Sequence, residues 1–232
     1  MKNRFATFLC FYKRESRMNN KTCYIVGAGD NYGLDFVVAE GDLVIAADGG
    51  LTYLREQGIT ADLIIGDFDS LPQKPKAPNV VCLSDMKDDT DALAAVREGA
   101  GRGYKTFCIY CGTGGRVEHT LANIQTLAYL SQNGMRGCLV DRDAVITTVT
   151  NGGVSFSERC KGYVSVFSFS DKALGVTLTG LKYELVNVDL TSSFPIGVSN
   201  EFIGAIGRII VNDGTLAVVF PREHIKDIYH IV

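Results

Sequence analysis

The chain has no tryptophan, and none of its apolar runs is long enough to cross a bilayer. A membrane-spanning helix needs about 18 consecutive apolar residues. The closest approach, Phe5-Ala-Thr-Phe-Leu-Cys-Phe-Tyr12, is far shorter and lacks the small-residue cleavage site of a signal peptide. Residues 1–20, with Met18 just before the first strand signal, therefore read as a loosely ordered extension or a start-site artefact. An excess of basic charge is missing too: 23 basic and 26 acidic side chains leave a net charge of −3. That balance excludes a protein that lives on nucleic-acid phosphates. The seven cysteines are odd in number and lack the dense spacing of a disulfide scaffold, which points to the reduced cytoplasm. Cys108-Ile-Tyr-Cys111 has no second CxxC to complete a zinc site, and its apolar setting reads as buried strand cysteines. There is no GK[ST] ending of a Walker A loop, no internal repeat and no low-complexity linker.

From Thr22 a pattern of strand, glycine-rich turn and helix repeats. Cys23–Val26, Leu43–Ala47, Leu63–Ile65, Val80–Cys82, Phe107–Tyr110 and Gly137–Val140 are short apolar runs without polar alternation, as expected of strands covered on both faces. Helical spacing is clearest at Thr90–Arg102 and His119–Gln132. Alternating strands and helices predict an α/β unit over residues 21–140, a doubly wound, mostly parallel sheet. After residue 140, Val, Ile and Thr rise and Ala falls. Strand-like runs at Ala144–Thr150, Tyr163–Phe169, Val176–Leu181, Phe202–Val211 and Leu216–Phe220, separated by Asn-Gly, Ser-Asp and Asp-Gly turns, predict an all-β C-terminal sandwich over 141–232.

Ligands of open parallel sheets bind outside the carboxyl ends of the strands. Here those ends carry Asp48-Gly49-Gly50 and Gly66-Asp67-Phe68-Asp69-Ser70. In strand geometry Asp67 and Asp69 point to one face, and paired carboxylates suit Mg²⁺ together with substrate phosphates. Lys87-Asp88-Asp89-Thr90-Asp91 opens a helix, with Asp88 and Asp91 on one face if both are helical and Asp89 or Thr90 as cap. Gly112-Thr-Gly114-Gly115-Arg116-Val-Glu118-His119 again joins a strand to a helix; its backbone N–H groups and Arg116 suit an anion. Gly27-Ala-Gly29-Asp-Asn-Tyr-Gly33 is one residue off the dinucleotide fingerprint and gives hydride transfer little support. An acidic metal site facing an anion site favours phosphoryl-type transfer from a cation-bound nucleotide.

In order and spacing, Ala47-Asp-Gly-Gly50, Ile65-Gly-Asp-Phe-Asp-Ser70, Lys87-Asp-Asp-Thr-Asp91, Gly114-Gly-Arg-Val-Glu-His119 with Asn123, and Gly197-Val-Ser-Asn-Glu201 resemble the thiamine pyrophosphokinase family over residues 22–220. The resemblance implies transfer of the pyrophosphoryl group of ATP to the hydroxyethyl oxygen of thiamine, with Mg²⁺. It also implies a homodimer whose sites lie between the α/β domain of one subunit and the β domain of the other. Carried over motif by motif, Asp67, Asp69 and Asp88 or Asp91 hold Mg²⁺ and the phosphates. Asp48, Gly49, Gly114, Gly115, Arg116 and Glu118 line the nucleotide side, Ser199 and Asn200 reach thiamine, and Asp91 is the candidate proton acceptor. Two departures stand out. The family's Arg-x-Asp-His here carries Glu118, and without tryptophan the aromatic stacking on thiamine falls to Phe194 or Phe202. His119 reads as structural, and His224 and His230, in an apparently exposed tail, take no role. Competing readings are a Mg²⁺-dependent nucleotide phosphohydrolase and a non-catalytic nucleotide- or thiamine-binding module.

Overall fold

The computed structural model describes residues 21–66, 79–82 and 89–231. Asp67, Asp69, Asp88 and the extension at 1–20 lie outside the described residues. The six apolar runs of the first half become strands β1 (Thr22–Val26), β2 (Leu43–Ala47), β3 (Leu63–Gly66), β4 (Val80–Cys82), β5 (Thr106–Tyr110) and β6 (Arg136–Val140). They are parallel and lie in the order β6-β5-β1-β2-β3-β4.

Successive strand residues face opposite sides, so each run supplies two cores at once, which is why it shows no polar alternation. Val26, Val44, Ala46 and Ile64 pack with Leu51 and Leu54 of α1 (Gly50–Glu56). Cys23, Ile25, Ile45, Ile65 and Ile109 pack instead with Ala95 and Val96 of α2 (Asp91–Gly101) and Leu127 and Leu130 of α3 (Val117–Gln132). The connection from β1 to β2 departs from the strand–turn–helix pattern, because residues 27–42 contain no helix. Aromatic contacts hold it down: Phe36 stacks on Tyr24 at 4.2 Å and leans on Tyr110 at 5.0 Å. Asp35 accepts a hydrogen bond from the Tyr110 hydroxyl (3.0 Å) and pairs with Arg222 (3.1 Å).

Beyond residue 140 the chain adds β7 (Ala144–Thr150), β8 (Gly153–Phe156), β9 (Tyr163–Ser168), β10 (Lys172–Thr179), β11 (Leu185–Thr191), β12 (Asn200–Glu201), β13 (Gly207–Ile210), β14 (Thr215–Pro221) and β15 (Ile228–Ile231). A tight turn, closed by the Asp141 N–H on the Ala144 carbonyl (2.9 Å), folds β7 back antiparallel on β6. The parallel sheet therefore runs on through β7, β14, β9 and β12 into one mixed sheet of ten strands, and β11-β10-β13-β8-β15 form a separate all-β sheet. The sandwich predicted from the sequence thus borrows one of its layers from the α/β sheet. Val145, Val166, Leu216 and Phe220 of the mixed sheet pack on Val154, Phe156, Val176 and Ile209 of the other.

Three further expectations are corrected. The run at 202–211 forms a strand only over Gly207–Ile210, because Gly204 sits at φ +77° and Phe202 makes just an isolated bridge to Leu181. His224 is buried, not exposed: its Nε2 accepts the Lys161 N–H (2.9 Å) and its Nδ1 lies 3.3 Å from Asp227. His230 lies in a paired strand, where burial and then Arg136 push its pKa down to about 4. Cys108 and Cys111 are buried, as expected, but Cys108 lies against Cys138 on the neighbouring strand (Sγ to Sγ 2.9 Å). Among the described residues no helix is long and apolar enough to cross a membrane.

Candidate active site

The carboxyl ends of β1, β2 and β5 converge with the start of α2 on a cleft of about 320 Å³. Gly27–Asp30, Asp48, Thr90, Asp91, Gly114–Arg116 and His119 line it. Beyond β1 the backbone keeps pairing with the segment after β5: the N–H groups of Gly27, Gly29 and Asp30 donate to the carbonyls of Tyr110, Cys111 and Thr113 at 2.9, 2.7 and 2.9 Å. A Cβ at Gly29 would come within 2.4 Å of the Thr113 oxygen, so the close approach needs glycine there.

Asp48 turns the chain out of β2 at φ +50°, a conformation Asp tolerates better than most residues, and its N–H donates to the Ile65 carbonyl (2.8 Å). β3, the neighbour of β2, ends at Gly66, one residue beyond Ile65. Thr90 is the cap of α2, its Oγ1 accepting the Leu93 N–H (3.2 Å). Asp89 pairs with Arg97 instead of capping. Asp91 occupies the first turn, where the helix dipole favours a carboxylate.

After β5, Asn123 of α3 donates from Nδ2 to the Gly112 carbonyl (2.7 Å) and fixes the start of the glycine turn. Gly114 and Gly115 follow at φ +78° and +58°. Two left-handed residues in succession are adopted at little cost only by glycine. Arg116 stands exposed at the mouth of the cleft, its Nε 2.7 Å from Oε1 of Glu118. That hydrogen bond lowers the Glu118 pKa, and Glu118 serves the guanidinium rather than lining the cleft.

Of the residues named from sequence, the structure brings together Asp48, Asp91, Gly114, Gly115 and Arg116. Gly49 stands next to Asp48, facing Ala28. Ser199 and Asn200 are elsewhere, at β12 on the far edge of the mixed sheet. Six strand spacings separate β12 from β1, about 29 Å at ~4.8 Å each. Asn200 is buried and clamps Tyr183, accepting its N–H (2.9 Å) and donating to its carbonyl (2.7 Å). Ser199 is exposed at φ +58°. Of the two phenylalanines considered for stacking, Phe202 lies in the core edge-on to Phe156, whereas Phe194 is 65% exposed. His119 lines the cleft from an exposed position. Asp30, the other wall residue passed over in the sequence, was marked only by the glycines around it.

Comparison with known proteins identifies the family. Residues 35–139 match the family model described as the thiamin pyrophosphokinase catalytic domain, and residues 154–216 match that of the thiamin pyrophosphokinase vitamin B1 binding domain. Over 187 residues the chain is 30% identical to thiamine pyrophosphokinase of Bacillus subtilis, covering 78% of this chain and 87% of that protein. The chain belongs to the thiamine pyrophosphokinase family. Crystal structures of thiamine pyrophosphokinases superpose well. The Bacillus subtilis enzyme has a TM-score of 0.77 at 28% identity, covering 87% of this chain and 99% of its own. A family protein from Enterococcus faecalis gives 0.76 at 27%, covering 87% and 99%. At 16% identity the yeast enzyme, with a TM-score of 0.69, shares the fold. Within the thiamine pyrophosphokinase framework, the catalytic-domain match ends in β6 and holds Asp48, Asp91 and the glycine turn, while Ser199 and Asn200 fall in the vitamin B1 binding match.

Proposed function

We propose that the chain transfers the pyrophosphoryl group of ATP to the hydroxyethyl oxygen of thiamine, releasing thiamine diphosphate and AMP. The observation that carries this reading is the cleft itself, in which Asp48 and Asp91 face the Gly114–Arg116 turn in a member of this family. In the reaction the thiamine oxygen forms a bond to the β-phosphorus, the bond from that phosphorus to the α–β bridging oxygen breaks, and AMP leaves. Hard carboxylate oxygens suit Mg²⁺, and Asp67, Asp69 and Asp88 or Asp91 would hold it. When bound, Mg²⁺ offsets the polyphosphate charge that the carboxylates would otherwise repel. The N–H groups of Gly114 and Gly115 and the Arg116 guanidinium hold the phosphates, and Asp48 and Gly49 line the nucleotide side. Glu118 orients Arg116 through its hydrogen bond. Asp91 accepts the proton of the thiamine hydroxyl.

Ser199 contacts thiamine, in a cleft shared between two copies of the chain. The spread of the sheet, about 29 Å from β12 to β1 at ~4.8 Å per strand, supports this. Asn200 acts there through the Tyr183 loop that it clamps, and Phe194 is the aromatic free to stack. We read the parallel strands as doubly wound, with α1 on one face and α2 and α3 on the other, residues 21–140 as the nucleotide domain and 141–232 as the thiamine domain. Cys23, Cys108, Cys111, Cys138 and Cys160 are free thiols, which suits a reducing cytoplasm.

Incubation with ATP, Mg²⁺ and thiamine is expected to give AMP and thiamine diphosphate in equal amounts. ADP with thiamine monophosphate would contradict the reading, as would nucleotide hydrolysis at a comparable rate without thiamine.

A further inference from the structure

Asp30 stands where the nucleotide side of the cleft is shaped, and it precedes the segment matched by the catalytic-domain family model. Its backbone N–H donates to the Thr113 carbonyl (2.9 Å), fastening it to the residue before the glycine turn. Its side chain lies over Gly114: a Cβ built at position 114 would come within 2.4 Å of both Cγ and Oδ2 of Asp30. Behind the carboxylate, the Tyr32 hydroxyl donates to Oδ2 (2.9 Å), and Tyr32 is covered by Arg142, whose guanidinium carbon lies 4.8 Å from the ring centroid. Asp30 is thus held at its backbone and at its carboxylate while it presses on one left-handed glycine of the turn.

We propose that Asp30 is a positioning residue for the ATP side of the reaction, propping the Gly114–Arg116 turn in the conformation that cradles phosphate. The inference rests on the reading of the cleft as an ATP site. A turn of consecutive glycines has more backbone freedom than any other sequence, so it keeps one shape only if something else restricts it. Asn123 restricts the Gly112 end, and Asp30 restricts Gly114. Gly114 is in turn required because any side chain would occupy the space of the Asp30 carboxylate. Shape and hydrogen-bond acceptance, more than charge, define this role, so asparagine at position 30 preserves most of it.

The test is calorimetric titration of a non-hydrolysable ATP analogue with Mg²⁺ into the wild type, Asp30→Ala, Asp30→Asn, Gly114→Ala and the Asp30→Ala/Gly114→Ala double variant, with steady-state kinetics alongside. Asp30→Ala and Gly114→Ala are expected to weaken the analogue about tenfold each, with Asp30→Asn within about threefold of the wild type. The double variant binds more tightly than the product of the two single effects predicts, because removing the carboxylate makes room for the alanine. In turnover, KM for ATP rises with the dissociation constant in Asp30→Ala, while KM for thiamine moves by less than about twofold and kcat falls far less than KM rises. Unchanged affinity in Asp30→Ala, strictly additive effects, or a parallel rise of both KM values with a drop in Tm would overturn the inference while leaving the ATP reading intact. A wild-type protein that does not bind the analogue would overturn both.

Discussion

Glycine at position 50 is required for a reason that no motif shows. A Cβ there would lie 1.9 Å from the Val26 carbonyl oxygen, so the first turn of α1 can sit on the end of β1 only without a side chain. Gly50→Ala is expected to destabilise the fold by about 3 kcal/mol, read as a shift in the urea midpoint at unchanged slope. Gly115→Ala, at φ +58° with open space around it, should cost only about 1 kcal/mol. In the sequence both glycines belong to ligand-cradling motifs; one in fact serves packing and the other the shape of the cleft. Asn200 shows the same limit. Its place in a motif was legible, but its use, a two-way clamp on Tyr183 across a loop, depends on a contact between residues 17 apart in the chain. The acidic residues read more directly: Asp48, just past the end of β2, and Asp91, in the first turn of α2, both line the cleft.

At the scale of elements, sequence and structure agree best where local chemistry marks both ends. The helix expected over Thr90–Arg102 runs Asp91–Gly101, with those two residues as its caps. Thr90→Ala removes the hydrogen bond to the Leu93 N–H and is expected to cost about 1 kcal/mol in thermal or urea unfolding. It also frees the turn that carries Asp91, so turnover should fall more than stability alone explains. Thr90→Ser, which keeps the hydroxyl, restores both. Elements were hidden where left-handed residues break the strand period. In β10 Gly175 sits at φ +64° and in β11 Asn187 at φ +54°, and the register shifts between the two strands. Such bulges put apolar side chains out of alternation, so β11 did not read as a strand and β10 read as shorter than it is.

For the whole molecule, composition changes near residue 140, a little after α3, the last α-helix among the described residues, ends at Gln132, but that change could not show that the sheet continues. Sheet continuity depends on the Asp141–Ala144 turn, which pairs β7 with β6. The continuous sheet also separates the cleft from Ser199, and under the proposed reading a second copy of the chain bridges that separation. Two inactive variants test this: Asp69→Asn on the nucleotide side and Ser199→Arg on the thiamine side. Mixed after mild unfolding, equal amounts should regain up to about a quarter of wild-type activity, because half of randomly paired dimers hold one intact composite site of two. No recovery in dimers shown to be mixed would mean that each chain uses its own Ser199 or none.

The central claim, that a pyrophosphoryl group moves in one piece, is tested most directly by ATP labelled at the β-phosphorus. With thiamine and Mg²⁺, the account predicts that the label appears in thiamine diphosphate, at the phosphorus attached to the hydroxyethyl oxygen, while AMP forms unlabelled. Label retained in ADP, or released as inorganic phosphate or pyrophosphate independently of thiamine, would contradict it.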